Sequence, residues 1–105
     1  MAEKTIVLVC AAGMSTSMLV KKMQEAAIEQ GLDREIYAIA SSEVDKKLSE
    51  DEINVLLLGP QVRFLKNEFE SKVSGKNIPV EVIPNVDYGT MNGTNVLKLA
   101  ESLTN

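Results

Sequence analysis

Four short β-branched and aliphatic runs, each followed by residues at helical spacing, constrain this chain more than any other feature. Residues 5–9 (TIVLV) are continuously apolar and too few for a helix, as expected of a strand buried on both faces of a parallel sheet. Cys10 closes that strand. Leu19, Met23, Ala26, Ala27 and Gln30 then recur at helical spacing over residues 18–30, and Gly31 supplies a stop. Residues 35–40 predict a second strand, with Ser42 as N-cap of a short helix carrying Val44 and Leu48 on one side. Residues 53–58 predict a third, more apolar strand. Gly59-Pro60 ends it, and Pro60 suits the first turn of a helix with Val62, Leu65, Phe69 and Val73 on one face. Residues 79–83 predict the last strand, residues 84–93 a loop rich in Asn, Asp and Gly, and residues 94–103 a helix with Val96, Leu97, Ala100 and Leu103 inward.

Strict strand and helix alternation with short connections predicts an α/β fold over residues 1–105 as a single domain. It has three layers, with a four-stranded parallel sheet, open and twisted, and helices on both faces. In such sheets ligands sit beyond the carboxyl ends of the strands, where neighbouring connections leave on opposite faces. Three segments reach that edge: residues 10–17, 59–61 and 85–93.

Composition removes several function classes. No stretch approaches the roughly 18 to 20 apolar residues that span a bilayer, so no direct membrane insertion is expected. A net charge of -4 and no basic cluster with interleaved aromatics argue against nucleic acid as a partner. The chain has no histidine, which excludes Cys-His and Ser-His nucleophile pairs and His-based metal sites within it. One cysteine cannot make an internal disulfide or by itself a structural zinc site, and no metal or cofactor is expected. Residues 1–5 show no basic leader, and with the cysteine usage this points to the cytoplasm.

The chemistry concentrates at Cys10. A thiol at a strand end, followed by Ala11, Ala12, Gly13, Met14, Ser15, Thr16 and Ser17 and then a helix, stands where main-chain N–H groups converge and the helix dipole is positive. That field suits an anion and favours the nucleophilic form of sulfur. Gly13 lets the loop curl, and Ser15, Thr16 and Ser17 offer hydroxyl donors to phosphate oxygens. A lone cysteine ending a buried strand also reads as a small core hydrophobe, and Ser15 or Thr16 as a simple N-cap. The residues alone leave both readings open. A thiol phosphatase would need an arginine clamp and a general acid, yet the sixth position after Cys10 is Thr16 and the first basic residues are Lys21 and Lys22. Walker-type and dinucleotide glycine patterns are absent. A site able to hold a phosphoryl group with little positive charge to trap it fits a relay. A phosphatase-like enzyme and a ligand-binding α/β module with an inert cysteine are the alternatives.

Residues 6–20 (IVLVCAAGMSTSMLV) resemble the active-site segment of enzyme IIB of the lactose/cellobiose class in the bacterial sugar phosphotransferase system (PTS). Residues 56–62 (LLLGPQV) resemble that family's second signature, and Tyr88-Gly89 its third. The resemblance implies a sheet related in shape to low-molecular-weight tyrosine phosphatases and a phosphocysteine at Cys10. It implies a phosphohistidine donor, enzyme IIA, and an acceptor sugar of cellobiose, lactose or chitobiose type held by the membrane-embedded enzyme IIC. The place of action would then be the cytoplasm, transiently at the inner face of the plasma membrane.

Gly59, Pro60 and Gln61 read either as a strand-to-helix turn or as direct phosphate contact, with Gln61 a candidate to orient the loop or meet enzyme IIA, and Tyr88 reads as packing for the last helix or as rim against a partner. Asp87 is expected to cap that helix. Met23 is core, whereas Met14 is a candidate apolar contact for a docking protein. The charge run from Glu43 to Glu52 is expected to be a solvated helix face.

Overall fold

A computed structural model describes residues 3–11 and 16–104. Its strands are β1 (Lys4–Cys10), β2 (Arg34–Ala40), β3 (Val55–Leu58) and β4 (Val80–Val82). Its helices are α1 (Ser17–Glu29), α2 (Val44–Glu50), α3 (Lys66–Lys72), α4 (Asn85–Gly89) and α5 (Gly93–Leu103). All strand pairs are parallel and the order across the sheet is β2-β1-β3-β4. The expected four-stranded parallel α/β sheet is the fold.

Alternation along the strands divides the core in two. Ile6 and Leu8 of β1 and Val55 and Leu57 of β3 pack on one side with Leu19 and Met23 of α1 and Val96, Leu97 and Ala100 of α5. Val7, Val9, Leu56 and Leu58 pack on the other with Val44, which opens α2, and Phe69 of α3. A central strand buried on both faces must be apolar at every position, which is why TIVLV shows no period of two. β1 connects through α1 to β2 on one face, and β3 connects through α3 to β4 on the other. The reversal falls between β1 and β3. The carboxyl edge there carries Cys10 and Gly59.

Several local expectations are corrected. The segment following Pro60 is a 3-10 turn (Pro60–Leu65) kinked at Val62 (φ -117, ψ 22) before α3 begins. Val62, Phe69 and Val73 are nonetheless all buried, as expected of one apolar face. Residues 84–93 contain a helix, α4, where a loop was expected. The Tyr88 N–H bonds the Pro84 carbonyl at 3.0 Å, and Tyr88 packs on the α1/α5 core, so tertiary contact stabilises a turn that composition disfavours. At α2, the carboxylate of Glu43 accepts from the Ala40 N–H at 3.0 Å, and a 3-10 turn (Ser41–Glu43) occupies the place where Ser42 was expected to cap. At α5 the cap is Asn92, whose side-chain oxygen accepts from the Asn95 N–H at 3.0 Å. Asp87 accepts from the Asn95 side chain at 3.0 Å and so braces the cap without being it.

Candidate functional site at the end of β1

Cys10 is the last residue of β1, pairs with Ala40 of β2, and is 1% exposed. Its Sγ lies 3.4 Å from Oγ1 of Thr16, which is wholly buried. Thr16 stands at the N-cap of α1, where a hydroxyl ordinarily bonds a first-turn amide; no such cap bond is made, and the hydroxyl faces the sulfur. Ser17 opens α1 and is exposed, as is Ala11. Ala12, Gly13, Met14 and Ser15 lie outside the described residues.

Across the β1–β3 pair the register places Val9 opposite Leu58, and the Gly59 N–H continues the ladder to the Val9 carbonyl at 2.9 Å. A Cβ at residue 59 would lie 2.8 Å from Oε1 of Gln61, 3.5 Å from Cε1 of Tyr88 and 3.5 Å from the Val9 carbonyl oxygen. Gly59, Gln61 and Tyr88 are therefore gathered at the same edge as Cys10. Pro60 fixes the turn between them, holding Gly59 extended (φ -63, ψ 150). Of the chain's two arginines, Arg34 is bound to Glu101 at 2.6 and 2.7 Å, and Arg63 reaches the Pro60 carbonyl at 3.4 Å.

Over residues 5–99 the chain matches the family model described as the lactose/cellobiose-specific IIB subunit of the PTS system. The chain belongs to this IIB family. It is 50% identical to the galactose-specific EIIB component of Lactococcus lactis subsp. cremoris, over 108 aligned positions that cover all of both chains. It is 49% identical, again over all of both chains, to the cellobiose-specific EIIB component of Lactococcus lactis subsp. lactis. The solution structure of the cellobiose-specific IIB component from Borrelia burgdorferi superposes with a TM-score of 0.77 at 42% identity, covering 96% of this chain and 91% of that one. The likeness to the two Lactococcus lactis relatives, named for different sugars, is nearly equal.

The opposite end of the sheet is chemically unlike the β1 edge. A concavity of about 330 Å³ at the opposite ends of the strands is lined by Glu3, Glu35, Glu50, Asp51 and Glu52, a setting that repels phosphate. Among the described residues no helix is long and apolar enough to cross a membrane, and no cluster of three or more His, Cys, Asp or Glu side chains is placed to hold a metal. Sequence reasoning missed the seat that Gly59 gives Gln61. Its signal was available: the same alternation that points Cys10 toward α1 points position 59 to the same side of the sheet.

Proposed function

We propose that this IIB chain is a phosphocarrier in which Cys10 accepts a phosphoryl group from the phosphohistidine of enzyme IIA and hands it to a sugar held by enzyme IIC. IIB components belong to the sugar phosphotransferase system, and the finer assignment rests chiefly on where Cys10 stands. It closes β1 at the reversal of the sheet, beside a buried hydroxyl and the start of a 13-residue helix.

In the first transfer the Cys10 sulfur gives up its proton and attacks phosphorus, the P–N bond breaks, and the donor imidazole leaves with the electron pair and takes up a proton. In the second a sugar hydroxyl attacks phosphorus, the P–S bond breaks with its electron pair on the Cys10 sulfur, and the hydroxyl proton passes to solvent as the thiol is regenerated. Amides of residues 11–17 form the proposed anion cradle. Cys10 is nearly closed to solvent, so the sulfur must be uncovered for the donor to approach in line. Neither arginine belongs to the loop after Cys10, which disfavours a phosphatase: without a guanidinium clamp, attack by water on the phosphocysteine gains little.

The donor's landing surface is apolar. Met18 (51% exposed), Phe64 (76%) and Val86 (74%) come in the chain after the carboxyl ends of β1, β3 and β4, the edge that carries Cys10. The acceptor is a sugar of cellobiose, lactose or chitobiose type, and the work is done in the cytoplasm, transiently at the inner membrane face.

Incubation with phosphorylated enzyme IIA tests this reading. One thiol-linked phosphoryl group per chain should form, and alkylation of Cys10 should then be blocked. Persistence of the label in Cys10→Ser would reject the assignment.

A further inference from the structure

We propose that Gln61 is a direct ligand of the phosphoryl group carried on Cys10, and that Gly59 is glycine so that the Gln61 amide can occupy the space beside that sulfur. The inference rests on the carrier reading above and goes beyond it by giving a role to a residue on a different strand connection.

Parallel neighbours in register point their side chains to the same side of the sheet and stand about 4.8 Å apart. Val9 pairs with Leu58, so the next positions, Cys10 and Gly59, are neighbours. Leu8 and Leu57, two residues before each on alternation, both enter the α1/α5 core. The Cys10 side chain follows that parity and meets Thr16 at the start of α1. The missing Gly59 side chain follows it too, since its Cβ position is 3.5 Å from the ring of Tyr88, which packs on the same core.

What fills the vacated space is the Gln61 amide. Its oxygen lies 2.8 Å from where the Cβ would be, closer than nonbonded atoms tolerate, so the side chain curls back over residue 59 only because no side chain is there. A primary amide carries two N–H donors and no charge. Placed one strand from Sγ, it can bond a phosphoryl oxygen as the group arrives and weaken its hold as the group leaves, without the strong charge-assisted grip of a guanidinium. Gln61 itself is exposed, so a group entering from solvent meets it first.

The test measures the rate of Cys10 phosphorylation by phosphorylated enzyme IIA, and the ³¹P shift of the phosphocysteine. Gln61→Ala should lower the maximal rate roughly five- to twentyfold with the half-saturating donor concentration unchanged, and should move the ³¹P resonance. Gln61→Glu should be slower still, because a carboxylate repels the incoming group. Gly59→Ala should reproduce Gln61→Ala by displacing the amide, and the double variant should be no worse than either single one. Only the end of a flexible side chain blocks the new methyl, so Gly59→Ala should fold; if it does not, the Gln61 pair decides. Wild-type rates and resonance in Gln61→Ala, or a change confined to donor saturation, would overturn the inference while leaving the carrier reading intact. Failure of the wild-type chain to take a thiol-linked label would overturn both.

Discussion

The hydroxyl of Thr16 lies 3.4 Å from the sulfur of Cys10, and both residues are closed to solvent. A hydroxyl that could cap α1 is directed at the sulfur, which ties the helix start to the strand end. Thr16→Ser keeps the oxygen and should retain transfer. Thr16→Val keeps the shape and removes it, and the rate of Cys10 phosphorylation should fall about three- to tenfold, the equivalent of one hydrogen bond of about 1 kcal/mol. Equal rates in the two variants would mean that the hydroxyl only packs.

Much of this site was legible because the strands are buried on both faces. Runs such as TIVLV and VLLL admit one reading, and glycine with proline after the third run marks where the chain turns. The two-sided core follows from short right-handed connections that put helices on both faces, whereas the order β2-β1-β3-β4 comes from the structure alone. What was not legible depended on contacts distant in sequence. Tyr88 helps to make α4 a helix by packing on α1 and α5, and no local propensity in NVDYG announces it. Nothing in PQVRFL announces the bend at Val62, and the Gln61 seat needs the β1–β3 register before it has meaning.

Helix α5 meets α1 through a glycine that has no room for a methyl group. A Cβ at Gly93 would lie 2.5 Å from the carbonyl carbon of Lys22 and 2.6 Å from the Met23 nitrogen, both main-chain atoms that cannot step aside. Gly93→Ala should therefore cost about 1–3 kcal/mol in urea unfolding. Gly89→Ala is the control: nothing lies within 4 Å of its Cβ position, and at the end of α4 alanine should be neutral or slightly stabilising. Equal stability of the two variants would contradict the close helix contact.

At the pole away from Cys10, Arg34 grips Glu101 through two bonds of 2.6 and 2.7 Å, joining β2 to the last turns of α5. The hydrogen bond from Arg34, aided by its charge and opposed by partial burial, holds the Glu101 carboxyl below its ordinary value of 4.5. A carboxyl depressed in the folded state stabilises fully above its unfolded value and loses that contribution as pH falls through the folded one. Glu101→Gln should cost about 1–2 kcal/mol at neutral pH. The gap between wild type and variant should stay constant down to about 4.5 and close below it. A gap that widened on acidification would refute the pairing.

Exposed apolar side chains are otherwise sparse among the described residues, which makes their distribution informative. Phe64 and Val86 follow the carboxyl ends of β3 and β4, the edge that carries Cys10, whereas Ile28, 78% exposed, lies near the far end of α1. If enzyme IIA docks on the apolar rim, Phe64→Ser and Val86→Ser should each raise the donor concentration for half-maximal phosphorylation by roughly three- to tenfold, the usual cost of losing a contributing interface side chain. Neither should alter unfolding by more than about 0.5 kcal/mol, because both side chains already face water. Ile28→Ser should change neither quantity. This control separates docking from general surface hydrophobicity: an equal effect at Ile28 would show that the rim has no special part in receiving the donor. Loss of transfer at saturating donor would instead place Phe64 or Val86 in the reaction itself.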